Sequence, residues 1–214
     1  WCRVIDGPLG AGLEWRVELS GDQFEAAFRQ ERLEFDGLGP FQLSGGLART
    51  EADRLQVGPI RLKARSGDAA VLSATSPKFA DVQSGAEAAG LERASLTVSG
   101  ERGLVDDVLA WAFRLDVAAA RSSFIAARDQ RADMLEWLDE NAVGVIDSAS
   151  AAAFRKMIGA YPRARGTAMI AIREDRPVQI GPVVSALLFG TSLTRGQAAQ
   201  LIEEAGLRFT WTPG

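Results

Sequence analysis

Leu13, Trp15, Val17 and Leu19 alternate with Glu14, Arg16, Glu18 and Ser20, and this period-2 pattern constrains the chain more than any other feature. A strand sends successive side chains to opposite faces, so such a run predicts a sheet with one apolar face and one polar face. The pattern recurs through the first hundred residues. Phe41 and Leu43 follow a Gly-Pro, Leu55 and Val57 precede another, and Ile60 and Leu62 follow it. Ala94, Leu96 and Val98 alternate with Ser95, Thr97 and Ser99. Clusters at Gly45-Gly46, Ser66-Gly67, Ser84-Gly85 and Ser99-Gly100 read as turns between antiparallel strands. Within this stretch only Phe24 to Arg32 reads as a short helix.

The middle of the chain changes period. Leu104, Val105, Val108, Leu109 and Ala112 have helical spacing, after which Phe113, Leu115 and Val117 alternate with Arg114 and Asp116 and suggest a strand. Met134, Trp137 and Leu138 mark a second helix, ending near Asn141 because Glu136, Asp139 and Glu140 oppose its macrodipole. A third starts at a cap on Asp147 or Ser148, turns Phe154, Met157, Ile158 and Tyr161 to one side, and stops at Pro162. Ala168, Ile170 and Ile172 return to strand spacing, and Val183 to Phe189 is an apolar run of undecided type. Thr194 and Gln197 fit a capping box for a helix with Ala198, Leu201, Ile202 and Ala205 inside and Gly206 as its stop. Leu207, Phe209 and Trp211 close the chain as a strand. The expected fold is α+β: an antiparallel twisted sheet with helices from 103–161 and 194–205 packed on one face. Residues 1–100 form its mainly β region, 101–165 its helical region, and 166–214 an α/β segment completing the same domain.

One local motif repeats. Leu38-Gly39-Pro40-Phe41, Val57-Gly58-Pro59-Ile60 and Ile180-Gly181-Pro182-Val183 all read apolar-Gly-Pro-apolar, with Ile5-Asp6-Gly7-Pro8-Leu9 a looser relative. Proline cannot donate to a ladder, so each site is an edge, a bulge or a bend. Independent strand-edge turns explain the motif, as does a duplicated strand-turn-strand unit.

The chain has no histidine and one cysteine, Cys2, in 214 residues. Ser-His-Asp and Cys-His nucleophiles, H-E-x-x-H centres and Cys/His zinc sites are therefore excluded. A net charge of -4 argues against a nucleic-acid partner, which needs a clustered basic surface. Three of the 24 cationic side chains are lysines (Lys63, Lys78 and Lys156), and none stands in a Ser-x-x-Lys helix. Gly7 to Gly12 is glycine-rich without the Lys-Ser/Thr of a phosphate loop. The acidic candidates have ordinary explanations. Asp106-Asp107 suits a helix N-terminus, Glu136, Asp139 and Glu140 suit a solvated helix face, and Glu174-Asp175 suits a turn. No residue set points to a cofactor or a metal.

Trp15, Trp111, Trp137 and Trp211 each fall in or beside an apolar face. Core packing is the ordinary role of such residues, and lining a groove for an apolar ligand is the functional one. Arg54-Leu55-Gln56-Val57-Gly58-Pro59-Ile60-Arg61-Leu62 and the alternating Leu91 to Gly100 resemble segments of AsmA-like bacterial envelope proteins. The resemblance covers residues 13–100 and extends to 165–212, and the helical middle departs from it. It implies one N-terminal membrane anchor, a periplasmic location and a long curved sheet able to shelter acyl chains. It transfers no site residue.

Trp1-Cys2-Arg3 resembles the interfacial end of such an anchor, so an anchor upstream of residue 1 is expected, while no run within the chain reaches the ~18 apolar residues a spanning helix needs. The expected function is that of a non-enzymatic, membrane-anchored periplasmic protein binding lipid or another envelope component. The alternatives are a structural subunit or adaptor of a larger assembly, which allows a cytoplasmic location, and a hydrolase working with carboxylates alone.

Overall fold

The computed structural model describes residues 2–4, 13–20, 23–35, 38–50, 53–75, 90–141, 146–172, 178–179 and 206–214. Their strands are β1 (Cys2–Val4), β2 (Leu13–Ser20), β3 (Gln23–Phe35), β4 (Leu38–Arg49), β5 (Leu55–Ala64), β6 (Ala69–Thr75), β7 (Gly90–Leu91), β8 (Arg93–Gly100), β9 (Gly166–Ala171), β10 (Val178–Gln179) and β11 (Arg208–Pro213). Four helices lie between β8 and β9: α1 (Leu104–Phe113), α2 (Val117–Ser122), α3 (Phe124–Asn141) and α4 (Ser148–Ala160). The fold is α+β. Nine strands form one open sheet in the order β1-β2-β3-β4-β5-β6-β8-β9-β11, and β7 pairs with β10 apart from it. Every pairing is antiparallel.

Two of the Gly-Pro motifs lie within strands and are not turns. Gly39-Pro40 lies inside β4 and Gly58-Pro59 inside β5, and both sit at register shifts. Val57 pairs with Ala74 and Ile60 with Leu72, so β5 spends three residues where β6 spends two. This is a bulge, and the extra residue keeps Val57 and Ile60 on the same face. Gly58 has φ +96°, and a Cβ there would sit 2.5 Å from the Leu72 carbonyl oxygen, so only glycine fits. Phe35–Leu38 and Leu33–Phe41 pairing gives β4 an equivalent bulge at Gly39-Pro40. The third motif, at Gly181-Pro182, lies outside the described residues, as do Ser84-Gly85, Glu174-Asp175, Lys78, the Gly7 to Gly12 loop, the Val183 to Phe189 run and the Thr194 to Ala205 helix.

Three expectations are corrected. Phe24 to Arg32 is strand, within β3. Its Ala, Glu, Gln and Arg residues favour helix, but pairing on both sides with β2 and β4 overrides that preference. Gly45-Gly46 is not a turn but part of β4, where Gly45 lets a neighbouring ring cross the strand: a Cβ there would lie 2.7 Å from Phe28 Cζ and 3.0 Å from Ile60 Cα. Phe113 to Val117 is not a strand. Arg114 closes α1 in the left-handed conformation (φ 55°), and Asp116 caps α2 by accepting from the Ala119 N–H at 2.9 Å.

Two buried carboxylates fix the helices to the sheet. Gly103 precedes α1 and has no side chain with which to cap it. The cap comes from Asp68 in the β5–β6 turn, which accepts from the backbone N–H groups of Glu101 (3.0 Å), Arg102 (3.0 Å) and Leu104 (3.1 Å). Asp106 on α1 is 0% exposed. It accepts from the Ala164 N–H at 3.0 Å and pairs with Arg121 at 3.3 Å and Arg165 at 3.4 Å. It thereby joins α1, α2 and the segment entering β9. Asp147 caps α4 through the Ser150 N–H at 2.7 Å, a bond that holds its carboxyl below the ordinary value. The core joins Val105, Leu109, Met134, Leu138, Met157 and Ile158 of the helices to Ala168 and Phe209 of the sheet.

Replacing Asp68 strands a buried amide at Leu104, so Asp68→Ala is expected to lower stability by about 1–3 kcal/mol in denaturant unfolding. Gly45→Ala, crowded by Phe28 and Ile60, is expected to cost about 1–3 kcal/mol. Gly159→Ala on α4 meets nothing within 4 Å and is expected to be neutral or to stabilise by up to about 1 kcal/mol.

Candidate functional site

Residues paired across antiparallel strands lie on the same face, so the register draws both faces of the sheet. On one face Phe209, Ile170, Leu96, Leu72 and Ile60 pair in succession across β11, β9, β8, β6 and β5. Gly45 abuts Ile60, pairs with Phe28, and Phe28 pairs with Trp15. The row runs eight strands from Phe209 to Trp15, about 34 Å at the usual strand spacing. A second row beside it runs Trp211, Ala168, Val98, Ala70, Leu62 and Leu43. The other face carries Thr210, Met169, Thr97, Val71, Arg61, Ser44, Arg29 and Glu14 in the corresponding positions.

Burial along the apolar face is uneven. Leu33, Phe41, Leu43 and Ala168 are buried, whereas Leu72 and Ile170 are each 38% exposed, Trp15 is 43% exposed and Leu19 is 78% exposed. Between α1, α4 and strands β8, β9 and β11 lies a cavity of about 190 Å³. Its walls are entirely apolar and include Leu96 and Ile170 of the long row, Val108 and Phe113 of α1, and Phe154 of α4. Phe154 and Phe209 meet at its edge with ring centroids 4.8 Å apart. Such a space accepts an alkyl or aromatic group and offers nothing to a polar one.

The four tryptophans do not converge. Trp15 lies on β2 at the far end of the long row and Trp211 on β11 at the opposite end of the sheet. Trp111 lines a cleft of about 730 Å³ with Leu38, Arg114 and Leu115. Trp137 on α3 stands edge-on to Phe113, centroids 5.2 Å apart. The cavity was hidden from the sequence because its walls come from five elements between residues 96 and 209. The local signal that existed was the alternation of Leu96, Val98, Ala168 and Ile170.

Among the described residues the carboxylates do not assemble a hydrolytic pair in the clefts. Asp106 is saturated by its arginines and the Ala164 amide. Asp107 faces the large cleft as its single carboxylate, its carboxyl raised by burial despite Arg121 at 3.7 Å. Glu136 and Glu140 are exposed on α3, and Asp139 pairs with Arg155 on α4. Among the described residues no group of His, Cys, Asp or Glu side chains is arranged to hold a metal ion, and no helix is long and apolar enough to cross a membrane.

The chain matches no family model, no curated protein and no solved structure.

Tyr161 reports on the helical layer next to this site. It is 1% exposed, and its hydroxyl donates to Gln130 Oε1 at 2.8 Å. Burial, reinforced by the nearby Asp106 charge, pushes the phenol up to about 12. An unfolded phenol ionises near pH 10. The folded state therefore holds a proton that the unfolded state loses, and its contribution to stability is complete below pH 10 and falls as pH rises toward 12. Tyr161 is the single tyrosine of the chain. Ultraviolet titration is expected to show no tyrosinate at pH 10 in the folded protein and its appearance only near pH 12 or on unfolding.

Proposed function

We propose that this is a non-enzymatic protein of the bacterial cell envelope whose apolar sheet face shelters acyl chains. The observation carrying this reading is the long apolar row that passes from the half-exposed Leu72 into the apolar cavity beneath α1 and α4. A hydrocarbon chain gains about 0.8 kcal/mol per buried methylene, so a groove needs length and apolarity rather than directed polar groups. The row supplies length, and the cavity supplies an apolar end. In this reading α1 to α4 pack together on the apolar face and cover its C-terminal part, leaving the β2 to β6 part for the ligand. The resemblance of the β5 and β8 segments to AsmA-like proteins supports the same assignment, with a periplasmic location and an anchor preceding residue 1.

The adaptor reading has its own observation: Phe124 and Ile125 at the start of α3 are 76% and 61% exposed. Their exposed rings and branches offer a small apolar contact for a protein partner.

Native mass spectrometry of gently purified protein, followed by solvent extraction, distinguishes the two. Near-stoichiometric phospholipid or fatty acid is expected. A clean, ligand-free monomer overturns the lipid reading and leaves the adaptor. Leu72→Glu, which sets a charge in the centre of the apolar row, is expected to lose the bound lipid while remaining folded. Val71→Glu, one residue away on the polar face, is expected to retain it.

A further inference from the structure

The polar face of the sheet carries an unbalanced charge. From β2 to the turn before β5 each arginine, on either face, holds a carboxylate: Arg16 pairs with Glu18, Arg29 with Glu14, Arg32 with Glu34, Arg49 with Asp53, and Arg54 with Glu92. The rule breaks on β5. Arg61 and Lys63, with Arg65 following in the turn, are all exposed, and among the described residues none makes an ion pair. Their cross-strand neighbours supply no acid, since Arg61 lies between Ser44 and Val71, and Lys63 between Gln42 and Ala69. Lys63 and Arg65 open onto a cleft of about 340 Å³ with Arg32, and Glu31 is its single carboxylate. The nearby Asp68 is turned inward on backbone amides.

Two-residue steps along a strand place neighbouring charges about 7 Å apart, within the Debye length of about 10 Å at 0.1 M salt. The three cations therefore act as one field, in a chain whose net charge is -4. We propose that Arg61, Lys63 and Arg65 form a docking surface for a bilayer bearing anionic phospholipid headgroups. A row of cations on an open sheet face suits many phosphates spread over a plane. The proposal rests on charge pairing and does not require that the opposite face hold lipid.

Flotation with vesicles of phosphatidylglycerol and phosphatidylcholine, against vesicles of phosphatidylcholine alone, tests it. The wild-type chain is expected to bind the anionic vesicles, to ignore the zwitterionic ones, and to release as salt is raised to 1 M. The triple variant R61Q/K63Q/R65Q is expected to bind on the order of a hundredfold more weakly with an unchanged unfolding transition. R61K/K63R/R65K keeps the charges and is expected to bind normally, as is Arg16→Gln, which alters a paired cation. If the triple variant does not fold, Lys63→Gln alone is expected to lose about fivefold. Equal binding to both vesicle types, no binding to either, or undiminished binding by the neutralised variants overturns the proposal. Leu72→Glu is expected to leave vesicle binding intact, so failure of the acyl-chain reading and failure of this one remain separable.

Discussion

Everything in this structure depends on a register that keeps one face of a nine-stranded sheet apolar. A slip of one residue would send Leu96 and Val98 to solvent and Ser95 and Thr97 to the core. The bulges show how the register survives long strands. In an unbroken strand, residues i and i+3 face opposite ways. An added residue brings them to the same side, so Val57 and Ile60 both reach the apolar face around Gly58-Pro59. At Gly39-Pro40 and Gly58-Pro59 the apolar-Gly-Pro-apolar motif thus reflects a parity correction. Glycine supplies the left-handed φ and proline tolerates the missing ladder bond.

The helical insertion depends on polar anchors as much as on apolar packing. Asp68 and Asp106 are both nearly or wholly inaccessible, and each accepts from groups supplied by distant parts of the chain. A buried charge of this kind is costly unless every lone pair is used, which makes the arrangement strict in geometry. Asp68 locates the start of α1 at the end of β8, and Asp106 locates the return of the chain at β9. The strands on either side of the insertion are sheet neighbours, from Ser95–Ala171 to Gly100–Gly166. The two carboxylates let four helices leave the sheet and rejoin it without breaking the order of the strands.

Legibility in the sequence follows the range of the interactions. β2, β8, α4 and β11 were readable because period-2 or helical spacing and a local cap such as Asp147 are contained in ten to fifteen residues. β3 was not, since its residues favour helix and its strand state comes from neighbours on both sides. The cap on α1 was unreadable because its acceptor lies 36 residues earlier. The candidate site was half-legible. The apolar alternation that builds it stands in the sequence, but the cavity appears only when α1 and α4 meet β8, β9 and β11. The four tryptophans misdirect for the same reason. Each marks an apolar position, and no local pattern says that Trp15 and Trp211 lie toward opposite edges of the sheet.

The two faces of the sheet differ in what they leave unmatched. On the polar side Arg16, Arg29 and Arg32 have carboxylate partners, whereas Arg61 and Lys63 of β5 make no ion pair among the described residues. On the apolar side the helical core takes Val98, Ala168 and Phe209, while Leu72, Ile170, Trp15 and Val17 keep much of their surface open. Apolar exposure of this kind is ordinary when scattered and carries information when cross-strand pairing makes it continuous. One of the two unmatched surfaces is apolar and the other is cationic. β5 contributes to both through one alternation, with Ile60 and Leu62 inward to the row and Arg61 and Lys63 outward. A single strand thereby contributes both to the open apolar row and to the unpaired cations, and any shift of its bulge would move both at once.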